Sequence, residues 1–177
     1  MVGILVLSDT HVKRSAELPE AVLSLARRAD LVIHAGDLTH GDIISELRKL
    51  TEVAAVKGNM DFFAFSIDLP KQREIEIEGV KIGVVHSSGS PNQTLDRAKS
   101  AFSDRDVIIF GHSHQYFLKD IGGVVMFNPG SPTDHRFAPF PTYGWLQIDA
   151  RRFTAAVHRL DGEVVETLKG CARRQSD

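Results

Sequence analysis

Five short apolar runs in this chain each end, within one to three residues, in a side chain that can hold a metal ion. Val2 to Leu7 leads into Asp9 and His11, and Leu31 to Ala35 into Gly36-Asp37. Val53 to Val56 leads into Gly58-Asn59, Ile82 to Val85 into His86, and Val107 to Phe110 into Gly111-His112-Ser113-His114. Near-continuous apolar runs of this length read as strands buried on both faces. Repeated placement of Asp, Asn and His at their carboxyl ends is where open α/β sheets build their sites. The bland reading of each residue alone is a cap, a turn or a core histidine. Those explanations are independent of one another, whereas a metal centre accounts for all five together.

Size and composition narrow the remaining choices. A chain of 177 residues, 42% of them hydrophobic, suits one domain with a substantial core. Lys plus Arg number 21 against 23 Asp plus Glu, a formal net charge of -2, which argues against non-specific nucleic-acid or membrane binding. The lone Cys171 supports neither a disulfide framework nor a thiolate metal site. The first apolar run is too short for a signal peptide, and no run of about 18 apolar residues suggests a membrane span. A cytoplasmic protein is expected.

The first half alternates strand and helix. Leu18, Ala21, Val22, Leu25 and Ala29 fall at helical spacing, and Ile43, Ile44, Leu47 and Leu50 form a second apolar face. Glu74 to Glu78 alternates, turns at Gly79 and returns through Val80 to Val85 as a hairpin. Ser90 and Pro91 mark the start of a third helix carrying Leu95, Ala98 and Phe102. After Phe110 the pattern is strand only: Gln115 to Lys119, Val124 to Phe127, Tyr143 to Asp149 and Phe153 to Arg159. The layout predicts an α/β fold of two sheets packed face to face with helices outside. It also predicts one domain over residues 1–169 and a disordered polar tail over 170–177.

The side chains at the strand ends suit a two-metal centre. Two divalent ions about 3.5–4 Å apart can together hold an attacking water and polarise phosphoryl oxygens. Ions that close need a shared anionic ligand, and Asp37 is the natural bridge, with Gly36 allowing a tight turn. Asp9 and His11 lie two apart, as do His112 and His114, so each pair can face one ion; Asn59 adds a neutral oxygen and His86 a nitrogen. Two divalent cations against the carboxylates of Asp9 and Asp37 leave a formal surplus of about +2, which suits a phosphate anion. A mixed His/Asp/Asn set fits first-row metals: manganese is expected, with nickel, zinc, iron and cobalt compatible. It would make a poor calcium cage.

The order Asp9-x-His11, Gly36-Asp37, Gly58-Asn59, His86, Gly111-His112-x-His114 resembles the calcineurin-like metallophosphoesterase superfamily. Asn128-Pro129-Gly130-Ser131 resembles its small bacterial and archaeal phosphodiesterase branch. The resemblance covers about residues 1–135. It implies a four-layer α-β-β-α sandwich of two mixed sheets and hydrolysis of phosphoesters by a metal-bridging hydroxide. It implies Asp9, His11, Asp37 and His114 around one ion, and Asp37, Asn59, His86 and His112 around the other. Asp37, Asn59 and His112 are the expected catalytic residues. Asn59 is an expected phosphate contact, and so is Arg136, for which a plain surface loop is the competing reading. Small phosphodiesters or phosphomonoesters are the expected substrates.

Two positions depart from the superfamily pattern. Met60 stands where many members carry a histidine after the Asn, which removes a proton donor or phosphate contact. General acid help is typically worth about 10²–10⁴-fold, so substrates with good leaving groups are favoured. Ser88 stands where relatives often show a second histidine. The competing function is a non-catalytic protein-interaction scaffold on the same fold, like the retromer subunit; a nuclease ranks last for want of a basic surface. His34 reads as a buried, hydrogen-bonded histidine, His40 as part of the start of the second helix, and His158 as structural. Phe62, Phe63, Phe65, Phe137, Phe140 and Tyr143 are expected in the core, a pocket wall or a contact between subunits of a homo-oligomer. Phosphate-loop, dinucleotide, zinc-helix and serine-elbow motifs are absent from the sequence.

Overall fold

The computed structural model describes residues 1–61 and 68–173. Phe62, Phe63 and Phe65, and the last four residues of the expected tail, lie outside the described residues. Six strands form the first sheet: β1 (Val2–Leu7), β2 (Leu31–His34), β3 (Glu52–Ala55), β9 (Thr142–Asp149), β10 (Arg152–Arg159) and β11 (Val164–Cys171). Five form the second: β4 (Gln72–Ile77), β5 (Val80–Val85), β6 (Val107–Phe110), β7 (Tyr116–Asp120) and β8 (Val125–Pro129). The spatial orders are β11-β10-β9-β1-β2-β3 and β4-β5-β6-β8-β7. Both sheets are mixed. In the first, β1, β2 and β3 run parallel and β9 pairs antiparallel to β1. In the second, β5, β6 and β8 run parallel, flanked by antiparallel β4 and β7.

The period-two alternation of strand side chains separates three apolar layers. Ile4, Val6 and Ile33 of the first sheet meet Ile82, Ile109 and Phe127 of the second in the central core. The intervening Leu5, Leu7 and Val32 point to the opposite face, where helices α1 (Glu20–Ala26) and α2 (Asp42–Arg48) cover them with Val22, Ala26, Ile43, Ile44 and Leu47. On the far side, Ile108, Phe110 and Met126 pack with Ala98 of α3 (Pro91–Ser100). The result is the four-layer α-β-β-α sandwich, and burial on both faces is why the strands read as unbroken apolar runs. The start of α3 is held by Gln93, whose Oε1 accepts the backbone N–H of Ser90 at 3.1 Å. Phe102 lies beyond α3 but still packs against its layer.

Strand β11 was not foreseen. It takes in Gly170 and Cys171, and Ala172 after it is buried, so ordered structure continues past the boundary expected at Gly170. Among the described residues, no helix is long and apolar enough to cross a membrane. The expected aromatic cluster divides: Tyr143 is buried and stacks on His158 at 5.1 Å, Phe140 stacks on Tyr116 at 6.1 Å, and Phe137 is 61% exposed.

Candidate metal centre

The carboxyl ends of β1, β2, β3, β5 and β6 converge on one edge of the sandwich, so the residues following them meet although they are far apart in sequence. Five of them hold left-handed backbone: Asp9 (φ 54°), His11 (φ 44°), Asp37 (φ 57°), His112 (φ 81°) and His114 (φ 57°). Non-glycine residues rarely adopt this conformation, and each such residue costs about 1–3 kcal/mol and persists only where its surroundings hold it there. Here the surroundings are backbone bonds between neighbouring strand ends: Asp9 N–H donates to Gly36 O at 3.0 Å and His11 N–H to Asp37 O at 3.1 Å. Gly58 permits a close approach, since a Cβ there would lie 2.1 Å from Asp37 Oδ1.

Two groups of ligand-type atoms result, each with all members within 4.8 Å of one another: Asp9, His11 and His114, and Asp9, Asp37 and His86. Asp37 Oδ2 lies 3.3 Å from both His11 Nε2 and His86 Nε2, between the two groups. Asn59 Oδ1 lies 3.0 Å from His86 Nε2 and 2.9 Å from His112 Nδ1. All seven residues expected as ligands are therefore brought together. Asp9 belongs to both groups, where the resemblance implied it for one.

Hydrogen bonds on the far side of each ring fix which nitrogen carries a lone pair. A carbonyl oxygen can only accept, so His86 Nδ1–H donates to Ala35 O (2.7 Å), His114 Nδ1–H to Asp134 O (3.0 Å) and His112 Nε2–H to Gly89 O (3.0 Å). In the neutral rings, the opposite nitrogens then carry lone pairs aimed at the oxygens of Asn59, Asp37 and Asp9. Such outer hydrogen bonds are the usual means of orienting histidine ligands. His11 Nε2 is buried without a hydrogen-bond partner; its approach to Asp37 does not meet hydrogen-bond geometry. Convergent lone pairs and one orphaned buried nitrogen call for a cation, so the donor set fits divalent metal ions.

The electrostatics point the same way. Burial pushes the Asp37 carboxyl up, but adjacent His11 and His86 outweigh it and hold the group well below the usual carboxylate range. Burial pushes the Asp9 carboxyl up, and there it prevails over His86 and His114. For His11 and His86, burial alone would lower the imidazole, but the facing carboxylates raise both. The carboxylates of the site thus favour positive charge on the groups around them.

A surrounding shell holds the loops. Asp61 accepts three backbone N–H groups, from Asp37 (3.0 Å), Gly58 (2.7 Å) and Thr39 (2.8 Å), tying the β2 and β3 loops together. His34 Nδ1 accepts Gly36 N–H at 3.2 Å, which leaves Nε2–H facing Thr10 Oγ1 at 3.3 Å. It is fully buried, and burial lowers its pKa to about 3. Ser131 Oγ–H donates to Asp9 O at 2.7 Å, Thr133 Oγ1–H donates to Thr10 O, and Asn128 Nδ2–H donates to Gly111 O at 3.3 Å. The Asn-Pro-Gly-Ser segment therefore braces the β1 and β6 loops. Sequence reasoning missed Asp61; the only signal was a Gly-Asn-x-Asp turn pattern of the kind that bonds its own backbone. Arg136 is not in the cluster. It forms a bidentate pair with Asp134 (2.7 and 2.5 Å), whose carbonyl orients His114.

A double sheet with carboxylate–histidine clusters at its strand ends is the architecture of a metallophosphoesterase. The chain belongs to the calcineurin-like phosphoesterase superfamily, whose domain model matches residues 2–151. It is 38% identical over 166 residues to a probable metallophosphoesterase of Methanothermobacter thermautotrophicus, covering 92% of this chain and 95% of that one. It is 25% identical to a phosphodiesterase of Methanocaldococcus jannaschii, over 86% of this chain and 96% of the relative. Among solved structures, Vps29 of Entamoeba histolytica in complex with zinc superposes with a TM-score of 0.74 at 28% identity, covering 97% of this chain and 99% of that one. The family is one of metal-dependent phosphoesterases.

Proposed function

We propose that this chain is a binuclear-metal-dependent phosphodiesterase. The observation that carries the reading is the position of Asp37 Oδ2, 3.3 Å from a nitrogen of each histidine group, with Asp9 common to both groups. Asp9, His11, Asp37 and His114 would hold one ion, and Asp37, Asn59, His86 and His112 the other, with manganese the expected metal. Bound there, such ions lower the pKa of water and neutralise charge on phosphoryl oxygens. The remaining work falls to the chain itself. Asn59 and His112, at the outer side of the cluster, orient the phosphate. Asp37, held ionised by its histidine neighbours, keeps the centre anionic enough to retain its cations. Arg136 has N–H donors beyond the two committed to Asp134 and contacts the phosphate with these. Met60, 55% exposed beside Asn59, has no proton to give a leaving group. Activated diesters should therefore be turned over best.

The test is hydrolysis of bis-p-nitrophenyl phosphate in Mn²⁺. The parent chain should turn it over, and Asp37→Ala should lower kcat/KM by at least about 10³-fold, as expected when a shared metal ligand is lost. Turnover unchanged in Asp37→Ala overturns the assignment. The alternative, a non-catalytic interaction scaffold, draws support from the likeness to Vps29 and from Met60. Tight metal binding with no turnover of any phosphoester in Mn²⁺, Ni²⁺ or Zn²⁺ would favour it.

A further inference from the structure

A cavity of about 580 Å³ opens beside the second cluster, with Asn59 and His86 in its wall. Lys57, Lys71 and Arg97 also line it, and among the described residues no carboxylate does. This concentration of positive charge is local, because the whole chain carries a formal net charge of -2. Among the described residues, neither Lys71 nor Arg97 forms an ion pair with a carboxylate. Arg97 is instead placed by a neutral contact: its Nη1–H donates to Ser88 Oγ at 2.8 Å. The next residue, Gly89, supplies the carbonyl that accepts His112 Nε2–H at 3.0 Å. One short loop therefore positions both a proposed metal ligand and the guanidinium of the pocket.

Lys71 and Arg97, in a wall whose described residues include no carboxylate and continuous with a centre that becomes more positive when metal binds, form a field suited to a further anion on the same substrate. We propose that this pocket is a second phosphate subsite, so that the preferred substrate is a phosphodiester carrying an additional phosphate group. The proposal rests on the phosphodiesterase reading and deepens it. The metal centre would take the scissile phosphate, and Lys71 and Arg97 the other. The residue after Asn59, where many relatives carry a phosphate-contacting histidine, is Met60 here. The basic wall would then supply the substrate binding that Met60 cannot give.

Calorimetric titration of the Mn²⁺-loaded chain with propane-1,3-diol bisphosphate and with propyl phosphate tests this without requiring turnover. The bisphosphate should bind roughly tenfold or more tightly, as added charge-assisted hydrogen bonds give. Within each variant, propyl phosphate serves as the internal reference for the centre alone. The ratio of the two affinities should fall about three- to tenfold in Lys71→Gln and in Arg97→Gln, approach unity in the double variant, and recover in Arg97→Lys. Equal affinities in the parent, or a ratio unmoved in the double variant, overturn the subsite. Failure of the parent to hydrolyse bis-p-nitrophenyl phosphate would sink the phosphodiesterase reading separately, with the affinity ratio still deciding the pocket.

Discussion

Asp61 shows how a single side chain sets the geometry of the centre without belonging to it. Its buried carboxylate accepts N–H groups from Asp37, Thr39 and Gly58, so it fixes both the left-handed turn carrying Asp37 and the close approach of Gly58 beneath it. Without it, two buried donors at Asp37 and Gly58 lose their acceptor, and the turn at Asp37 loses one of the hydrogen bonds that hold it. Asp61→Asn preserves shape but replaces one acceptor oxygen with an N–H donor. It should weaken Mn²⁺ binding about 10–100-fold in calorimetric titration. Asp61→Ala should also cost at least about 1–3 kcal/mol of unfolding free energy. Full metal affinity in Asp61→Ala would show that the turn holds itself. Asp9, His11, His86, His112 and His114 were legible because each lies within four residues of the end of an apolar run. Asp61 was not, because its partners lie up to 24 residues away and become neighbours only when β2 and β3 pair. The Arg136–Asp134 pair was hidden for a related reason: spacing alone does not reveal that the guanidinium turns back onto its own loop.

At the level of elements, the two sheets make a close contact where Gly144 of β9 faces Phe127 of β8. A Cβ on Gly144 would lie 2.5 Å from the Phe127 ring and 3.0 Å from Val6 Cβ. Phe127 is fully buried, so its ring has little room to retreat. Gly144→Ala should therefore destabilise by about 1–3 kcal/mol through overpacking, measured by urea unfolding. Phe127→Leu should recover part of that loss when combined with it, because the two sites are in contact and will not behave additively. Additive losses would show that the sheets separate to admit the methyl. The same contrast explains which strands could be read in advance. β1 and β6 are buried on both faces and stand out as apolar runs. β11 is an edge strand whose residues are half exposed and half partly buried, and Val164 is 54% exposed. Its Gly170 packs under the Phe153 ring rather than ending the fold, a role that only the paired strand reveals.

Across the whole molecule, the site joins the two sheets. Asp9, His11, Asp37 and Asn59 follow strands of the first sheet, and His86, His112 and His114 follow strands of the second. Only the folded chain assembles these donors, so bound metal should stabilise it by mass action, by about 2.7 kcal/mol at a hundredfold excess over Kd. For a domain of this size that is a rise in Tm of about 5–11 °C in Mn²⁺ over EDTA. The apo protein meanwhile carries the cost of the arrangement. Asp9 is fully buried, and burial raises its pKa, so its ionised form is disfavoured in the folded state relative to the unfolded chain. An acid raised in this way withdraws stability as pH climbs through its folded value, and the loss is present at neutral pH. Asp9→Asn removes that charge and keeps an oxygen for the His112 backbone N–H, which Asp9 accepts at 3.0–3.1 Å. In EDTA at neutral pH, Asp9→Asn should therefore melt above the parent, while in Mn²⁺ it should show little of the parent's rise. Calorimetric melting of both chains with and without metal would show the crossing. A variant less stable than the parent in EDTA, or one that retains the full metal-dependent rise, would mean that Asp9 is held by its surroundings for the fold's sake rather than for a cation's.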